Sequence, residues 1–275
     1  MASPVQISIH QLSRLVGTPA APVLLDVRTE EDFNDDPRML PAAIRIPYPD
    51  ITDRLGATVE HIGAARAVVY CQKGLKISEG VASLLRAQGA KAEVLQSGHF
   101  GWRDANHLMV NDEAIPRRDR QSSSRWVTRV RPKVDRVACA WLIKRFADPA
   151  AEFLFVTGSQ VPAVAEKFDA TPFDIEGVDF SHHGDHCTFD TMLEKFGLYS
   201  DALERLSAVV RGADTDKLAL APQCAGLLAL SVGLSRMLDD DLQQIEAGLL
   251  IYDAMYRWAR DAYDEKHDWP SVGAS

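Results

Sequence analysis

Along the first 110 residues, short solid apolar runs alternate with stretches of mixed polarity. Val23-Leu24-Leu25-Asp26-Val27 is a compact run bounded by Pro22 and a polar cluster, and Ala67-Val68-Val69-Tyr70 and Glu93-Val94-Leu95 are two more. Short apolar runs of this kind predict buried strands. Residues 8–16 (SIHQLSRLV) read as a short helix, 30–34 (EEDFN) as a helical turn, and 79–88 as a helix ended by Gly89. Strand, helix, strand in this order predicts an α/β domain, a parallel sheet flanked by helices.

The pattern then breaks. NDEAIPRRDRQSSSR, residues 111–125, is polar, with one Pro and three consecutive Ser, the composition of a linker. Beyond it, 126–130 and 152–156 are strand-like and 136–146 is helix-like. After about residue 190 the period is almost entirely helical; residues 239–266 keep Leu242, Ile245, Leu249, Tyr252 and Tyr256 at helical spacing. This predicts a mainly α-helical α+β domain. The division is 1–112, a linker at 113–125, and 126–275, in line with about two domains for 275 residues. No internal repeat or low-complexity segment interrupts it.

Composition changes this picture little. Hydrophobic residues are 46% and charged residues 25%, an ordinary globular balance. No apolar run is long enough for a membrane span, and the N-terminus lacks the basic and apolar regions of a signal peptide. The four cysteines, Cys71, Cys139, Cys187 and Cys224, are widely spaced and read as free thiols of a reducing, cytoplasmic compartment. Charge is more informative. The net −9 divides into −3 over 1–115, +3 over 116–125 and −9 over 126–275. The basic run from Arg117 to Arg145 is either an oxyanion or nucleic-acid contact or a solvated face, and the solvated face is the simpler reading.

Cys71-Gln72-Lys73-Gly74-Leu75-Lys76-Ile77-Ser78 carries the first candidate chemistry. A cysteine directly after a buried strand, followed by a short loop and a helix start, lies where parallel sheets place their sites. Backbone N–H groups and a helix dipole there favour a thiolate, then a persulfide or bound oxyanion. Lys73 and Lys76 add positive potential. A buried structural cysteine is the plain alternative.

Four ordered segments resemble the rhodanese family over about residues 5–110. They are Leu24-Leu25-Asp26-Val27-Arg28 with Glu31 and Phe33, then Pro41-Ala42-Ala43-Ile44-Arg45-Ile46-Pro47, then Val69 to Ser78, then Gln96-Ser97-Gly98-His99-Phe100-Gly101-Trp102. The resemblance implies that Cys71 forms a persulfide, that the loop Gln72, Lys73, Gly74, Leu75 and Lys76 binds the sulfur substrate, and that small sulfur donors and thiol acceptors are the partners, with no cofactor required. The loop Cys71 to Lys76 has six residues, the length of the sulfur-handling branch; the related phosphatase branch has one more. Two positions depart from the family pattern. Arg38-Met39-Leu40 stands where a Gly-His is usual, and Lys76 stands where an Arg is usual. A Lys is a point charge without a bidentate fork. Asp26, Arg28 and His99 read as structural.

Residues 173–190 hold three His, one Cys, four Asp and one Glu. His and carboxylate donors without a closed Cys cluster fit iron, manganese or zinc in an open, reactive site. The alternative is a polar surface loop with chance histidines. His182 and His186 have the spacing of one helical face, but Gly184 argues against a helix. Asp214 and Asp216 supply further carboxylates.

Residues from about 125 to 265 resemble the C-terminal domain of the chromate-resistance ChrB family. The segments are Trp126-Val127-Thr128-Arg129, Arg131-Pro132-Lys133-Val134-Asp135-Arg136, Trp141 to Phe146, Pro172-Phe173-Asp174, His182 with Gly184 and Cys187, Val210 to Asp214, and Tyr252-Asp253-Ala254. The motif positions imply Asp174, His182, Cys187, Asp190 and Asp214 as metal ligands. Arg129, Arg131, Lys133, Asp135 and Arg136 form a second group, in which Arg131, Lys133 and Arg136 are candidates to clamp an oxyanion such as chromate or sulfate. Asp135 and Arg136 read equally well as a helix-start cap. A rhodanese stands where that family has its own N-terminal region, which argues against DNA binding.

The leading expectation is therefore a sulfurtransferase carrying sulfane sulfur on Cys71, coupled to a metal-binding domain. The alternatives are a chromate, oxyanion or metal sensor with the rhodanese as thiol switch, and a second domain that is an independent metal-dependent enzyme. Nucleic acid and membrane are not expected partners; the C-terminal helix is a candidate homodimer surface.

Overall fold

The computed structural model describes residues 5–116 and 123–265. The centre of the expected linker and the first basic residues after Pro116 lie outside the described residues. The elements follow in the order β1 (Gln6–Ile7), α1 (Ile9–Ser13), β2 (Val23–Asp26), α2 (Glu30–Asp35), β3 (Arg38–Met39), β4 (Ala43–Arg45), α3 (Leu55–Ile62), β5 (Arg66–Tyr70), α4 (Lys76–Ala87), β6 (Lys91–Leu95), α5 (Gly98–Asp104) and β7 (Val110–Asn111). Then come β8 (Arg125–Arg129), α6 (Val134–Leu142), β9 (Glu152–Val156), α7 (Val161–Phe168), β10 (Thr171–Pro172), α8 (Thr188–Phe196), α9 (Asp201–Asp214), α10 (Cys224–Met237) and α11 (Asp241–Asp261).

The first sheet has the order β1-β6-β5-β2-β4, and all its pairings are parallel. This is the α/β architecture the apolar runs predict. β5 is the central strand, and Ala67, Val68, Val69 and Tyr70 are each fully buried, as a strand covered on both faces requires. The helix begins at Lys76 rather than Glu79. α1 opens with a reciprocal cap between Ser8 and Gln11, which starts it where the apolar pattern does. The very short strands β1, β3, β4 and β7 carry too few residues for a periodic signal.

The second part is helix-rich, as expected, but its small sheet is ordered. β10-β8-β9 is parallel throughout, with α6 and α7 as crossovers. Its core holds Trp126, Trp141, Phe146, Phe173, Phe189 and Phe196, all fully buried. Trp126 meets Phe173 and Phe180 edge-on at 6.0 and 5.2 Å between ring centroids. Each such side chain contributes roughly 1.5–3 kcal/mol by burial alone.

The two parts are fastened together. β3 pairs antiparallel with β7, and the following Ile115 packs with Val110 into the second core, so 110–115 belongs to that core by packing. Ala42 N–H donates to the Phe146 carbonyl at 2.6 Å. Arg260 of α11 donates to the carbonyls of Val16 and Arg14 at 3.2 and 3.1 Å. No described helix is long and apolar enough to cross a membrane.

Candidate functional site

Cys71 directly follows the central strand β5 and is buried. Two amides from α5 hold the loop behind it: His99 N–H donates to the Cys71 carbonyl and Phe100 N–H to the Gln72 carbonyl, both at 3.0 Å. The close approach is possible because Gly74 and Gly98 face each other with φ of +68° and +54°. A Cβ on Gly74 would lie 2.5 Å from the Leu95 carbonyl oxygen. The Cys71 Sγ is 3.3 Å from the Ser78 hydroxyl, which also donates to the Leu75 carbonyl at 3.0 Å. Ser78, the last residue of the loop motif, makes this contact from the first turn of α4. Gln72 is half-buried, Gly74 is buried, and Lys73, Leu75 and Lys76 are exposed.

Asp26, Arg28 and His99 hold the neighbouring chain. Arg28 pairs with Asp26 at 2.5 Å and donates to the carbonyls of Asp36 and Arg38 at 2.7 and 3.0 Å. His99 Nε2 contacts the same Arg38 carbonyl at 3.1 Å. Burial, then the Arg28 charge, pushes the His99 imidazole below its ordinary value.

The second constellation is assembled from four distant segments. The Nε2 of His182 lies 3.3 Å from Asp135 Oδ2, 3.4 Å from Asp174 Oδ1 and 3.4 Å from Asp214 Oδ2. Asp135 comes from the first turn of α6, Asp174 follows β10, His182 sits on the loop before α8, and Asp214 ends α9. Asp135, His182 and Asp214 each bring one donor atom within 4.8 Å of the others.

Two of the acids have further support. The Asp135 carboxylate accepts from the amides of Thr188 and Phe189 at 2.8 and 2.9 Å, the free N–H groups at the start of α8. Asp174 takes Arg136 at 2.7 Å, Arg129 at 3.5 Å and the Thr188 hydroxyl at 3.1 Å. Val134, just before Asp135, has φ of +22°, an outlier for a β-branched residue. It is held from both sides by Ser231 on its N–H at 2.8 Å and Tyr252 on its carbonyl at 2.6 Å. The electrostatics follow. Hydrogen bonding to the Asp135 and Asp174 carboxylates raises His182 to about 10. Burial and the charges of Asp135 and Asp174 raise Asp214 to about 6. Burial opposes ionisation of Asp174, but His182, Arg136 and Arg129 outweigh it and hold that carboxyl below its ordinary value.

Of the five expected metal ligands, Asp174, His182 and Asp214 meet. Cys187 and Asp190 do not join them as ligands. Cys187 occupies the cap position of α8, buried, and burial followed by the Asp135 charge drives its thiol far above its ordinary value. Asp190 is spent within α8 and α9, accepting from the Cys187 amide at 3.0 Å, from Ser207, and from Arg211 at 3.0 Å. The basic trio does not form an oxyanion clamp either. Arg131 covers the end of α10, donating to the carbonyls of Ser235 and Leu238. Arg136 spans the Arg129 and Val130 carbonyls and Asp174. Lys133 is exposed at the cap of α6. His183 and His186 close a tight turn through paired backbone bonds of 3.1 and 3.0 Å, with Gly184 at φ +60°, so the loop is not helical. Asp135 is the ligand-type residue the sequence pattern misplaces. Its first-turn position signals a cap for its own helix, whereas it caps α8.

A cleft of about 950 Å³ opens beside this cluster, lined by Arg129, Asp174, Glu176, Asp179 and His182 among others.

Comparison with known proteins agrees with both halves. A rhodanese-like domain model matches residues 8–105, and the model for the ChrB C-terminal domain matches residues 126–259. Protein ChrB of Cupriavidus metallidurans is 39% identical over 147 residues, 52% of this chain and 43% of that relative. The chain thus spans less than half the length of that relative. Among solved structures, a rhodanese-related protein from Thermoplasma volcanium shares 18% identity with a TM-score of 0.33, over 38% of this chain and 97% of that one. The rhodanese-like domain of an Anabaena protein shares 24% identity with a TM-score of 0.33, over 39% of this chain and 79% of that one. The chain therefore joins a rhodanese-like domain, at residues 8–105, to a ChrB C-terminal domain, at residues 126–259.

Proposed function

We propose that the protein is a sulfurtransferase that carries sulfane sulfur as a persulfide on Cys71. The observation that carries this reading is the seat of Cys71: it ends the central parallel strand and opens a six-residue loop that α5 closes against the start of α4. Backbone amides at a helix start favour the negative charge of a terminal persulfide sulfur.

The chemistry needs two displacements. The Cys71 thiolate attacks the outer sulfur of thiosulfate, the S–S bond of the donor breaks, and sulfite leaves with the bonding pair. A thiolate acceptor then attacks the terminal sulfur of the Cys71 persulfide. The acceptor becomes a persulfide and Cys71 returns as a thiolate. With a persulfide donor, the leaving group is the donor thiolate. The exposed Lys76 attracts an anionic donor as a point charge, which favours persulfides over the forked recognition of thiosulfate. The ChrB C-terminal domain is consistent with an association with chromate resistance.

Incubating the protein with thiosulfate or glutathione persulfide tests this. Intact mass should rise by one sulfur atom, and a thiol acceptor should remove it. Cys71→Ala should abolish both the adduct and turnover. Undiminished sulfur transfer by that variant would sink the proposal.

A further inference from the structure

The four-residue cluster in the ChrB C-terminal domain has a geometry that a structural ion pair does not require. One imidazole nitrogen, His182 Nε2, faces three carboxylate oxygens at 3.3–3.4 Å. A single Nε2–H is donated to one acceptor; three oxygens at almost equal distance surround a common centre instead. The charges point the same way. Both arginines in contact, Arg129 and Arg136, lie on Asp174. Among the described residues, neither Asp135 nor Asp214 has a Lys or Arg ion pair. Only His182 is left to balance these two carboxylates, and a divalent cation balances both with His182 neutral.

We propose that Asp135, His182 and Asp214, with Asp174 beside them, bind one divalent first-row transition ion through carboxylate oxygens and one imidazole nitrogen, leaving a coordination position open to the cleft.

The outer contacts fit such a site. Metal-binding carboxylates are held by further hydrogen bonds that set their orientation. Asp135 is fixed by the two amides at the start of α8, and Asp174 by Arg136 and the Thr188 hydroxyl. Thr188 therefore serves two of the acids, one through its backbone and one through its side chain. His182 is the exposed member, and with Asp174 it forms part of the cleft wall. That arrangement puts the buried ligands behind the ion and the cleft in front, the layout of an open rather than a closed structural site.

The donor set also selects the ion. Oxygen and imidazole donors suit Mn²⁺, Fe²⁺ and Zn²⁺, with Zn²⁺ binding more tightly than Mn²⁺. The buried thiols stand behind Asp135; the Cys139 sulfur is 3.9 Å from Asp135 Oδ1. Both thiols remain outside the coordination sphere. This site is independent of the sulfur chemistry at Cys71, and the two readings fail separately.

The test uses the full chain stripped of metal. Titration with Mn²⁺, followed by the EPR signal of the free ion, should show one saturable site, and Zn²⁺ should displace the Mn²⁺. His182→Gln and Asp214→Asn should each weaken Mn²⁺ binding at least ~10-fold, the lower end of what even an outer contact is worth. His186→Gln, on the exposed turn, should bind as wild type. Circular dichroism establishes that the variants fold; the exposed His182 keeps at least one variant informative. Mn²⁺ should raise the melting temperature of wild type and not of His182→Gln. Water-proton relaxation of the Mn²⁺ form should show an exchangeable bound water. The Co²⁺ form should lack a thiolate charge-transfer band. No saturable binding to wild type, or equal binding by both ligand variants, overturns the site. A thiolate band overturns the donor set, and absence of exchangeable water overturns the open position.

Discussion

The carboxylate of Asp135 sits between the start of α8 and the imidazole of His182, accepting two amide hydrogen bonds on one side and lying 3.3 Å from Nε2 on the other. One acid thereby ties α6, α8 and the loop between Ser181 and Cys187 together. It makes the packing of two helices and the assembly of the polar cluster the same event.

Removing it should therefore be felt in stability even without metal. Asp135→Ala leaves the Thr188 and Phe189 amides buried without an acceptor, a loss of about 2–6 kcal/mol at ~1–3 per group. Relief of repulsion with Asp174 and Asp214 works in the opposite direction. It is the smaller effect, because Arg136 and Arg129 already neutralise Asp174. Urea unfolding of the metal-free protein reads the balance; a variant as stable as wild type would refute the anchoring role.

Gly98 lies against the Cys71 loop at φ +54°, where an added Cβ would overlap the Cys71 carbonyl and the Gly74 amide. Backbone atoms do not step aside as a side chain tip does. Gly98→Ala should lower stability by more than the ~1–2 kcal/mol of a left-handed alanine alone. It should also reduce sulfur transfer, because the loop has to move. Gly80 in α4 has open space around its Cβ position. Gly80→Ala should instead be neutral or stabilising by up to ~1 kcal/mol. Paired melts and turnover measurements compare the two.

Arg260 reaches from α11 to two carbonyls beside α1, and Tyr256 one turn earlier packs where Gly17 has no side chain. Arg260→Ala should cost about 1–2 kcal/mol. It should also loosen the coupling of the two halves, seen in calorimetry as a broadened or split transition. A single unshifted transition would show that the antiparallel pair of β3 and β7, with Val110 and Ile115, holds the halves without Arg260.

The buried His99 ring should give an acid limb to stability. Its value in the fold is lowered from 6.5 by burial and Arg28, so the fold favours the neutral ring. This contribution is intact above pH 6.5 and is lost as pH falls through the folded-state value. NMR titration of the ring should place its midpoint below 6.5, and His99→Gln should flatten that limb of the stability profile. A midpoint at or above 6.5 would contradict the assignment.

Local physics made much of this protein readable. The run Ala67-Val68-Val69-Tyr70 admits no solvent-facing side, so a parallel sheet with Cys71 at its carboxyl end follows from composition and order alone. The gathering of His and Asp between Phe173 and Asp190 likewise marked the polar cluster. What sequence order does not contain is which helix start meets which acid. Asp190 and Asp135 are both acids in the first turn of a helix. Asp190 turns inward to cap its own helix and pair with Arg211, while Asp135 caps a helix 53 residues further on. The same limit governs the basic segment: Arg131, Lys133 and Arg136 alternate as a clamp would, yet each is oriented by a different partner or by solvent. Hydrogen bonds and ion pairs between remote elements depend on packing distances of a few ångström. Those distances exist only once the aromatic core around Trp126 and Trp141 has brought α6, α8 and α9 together.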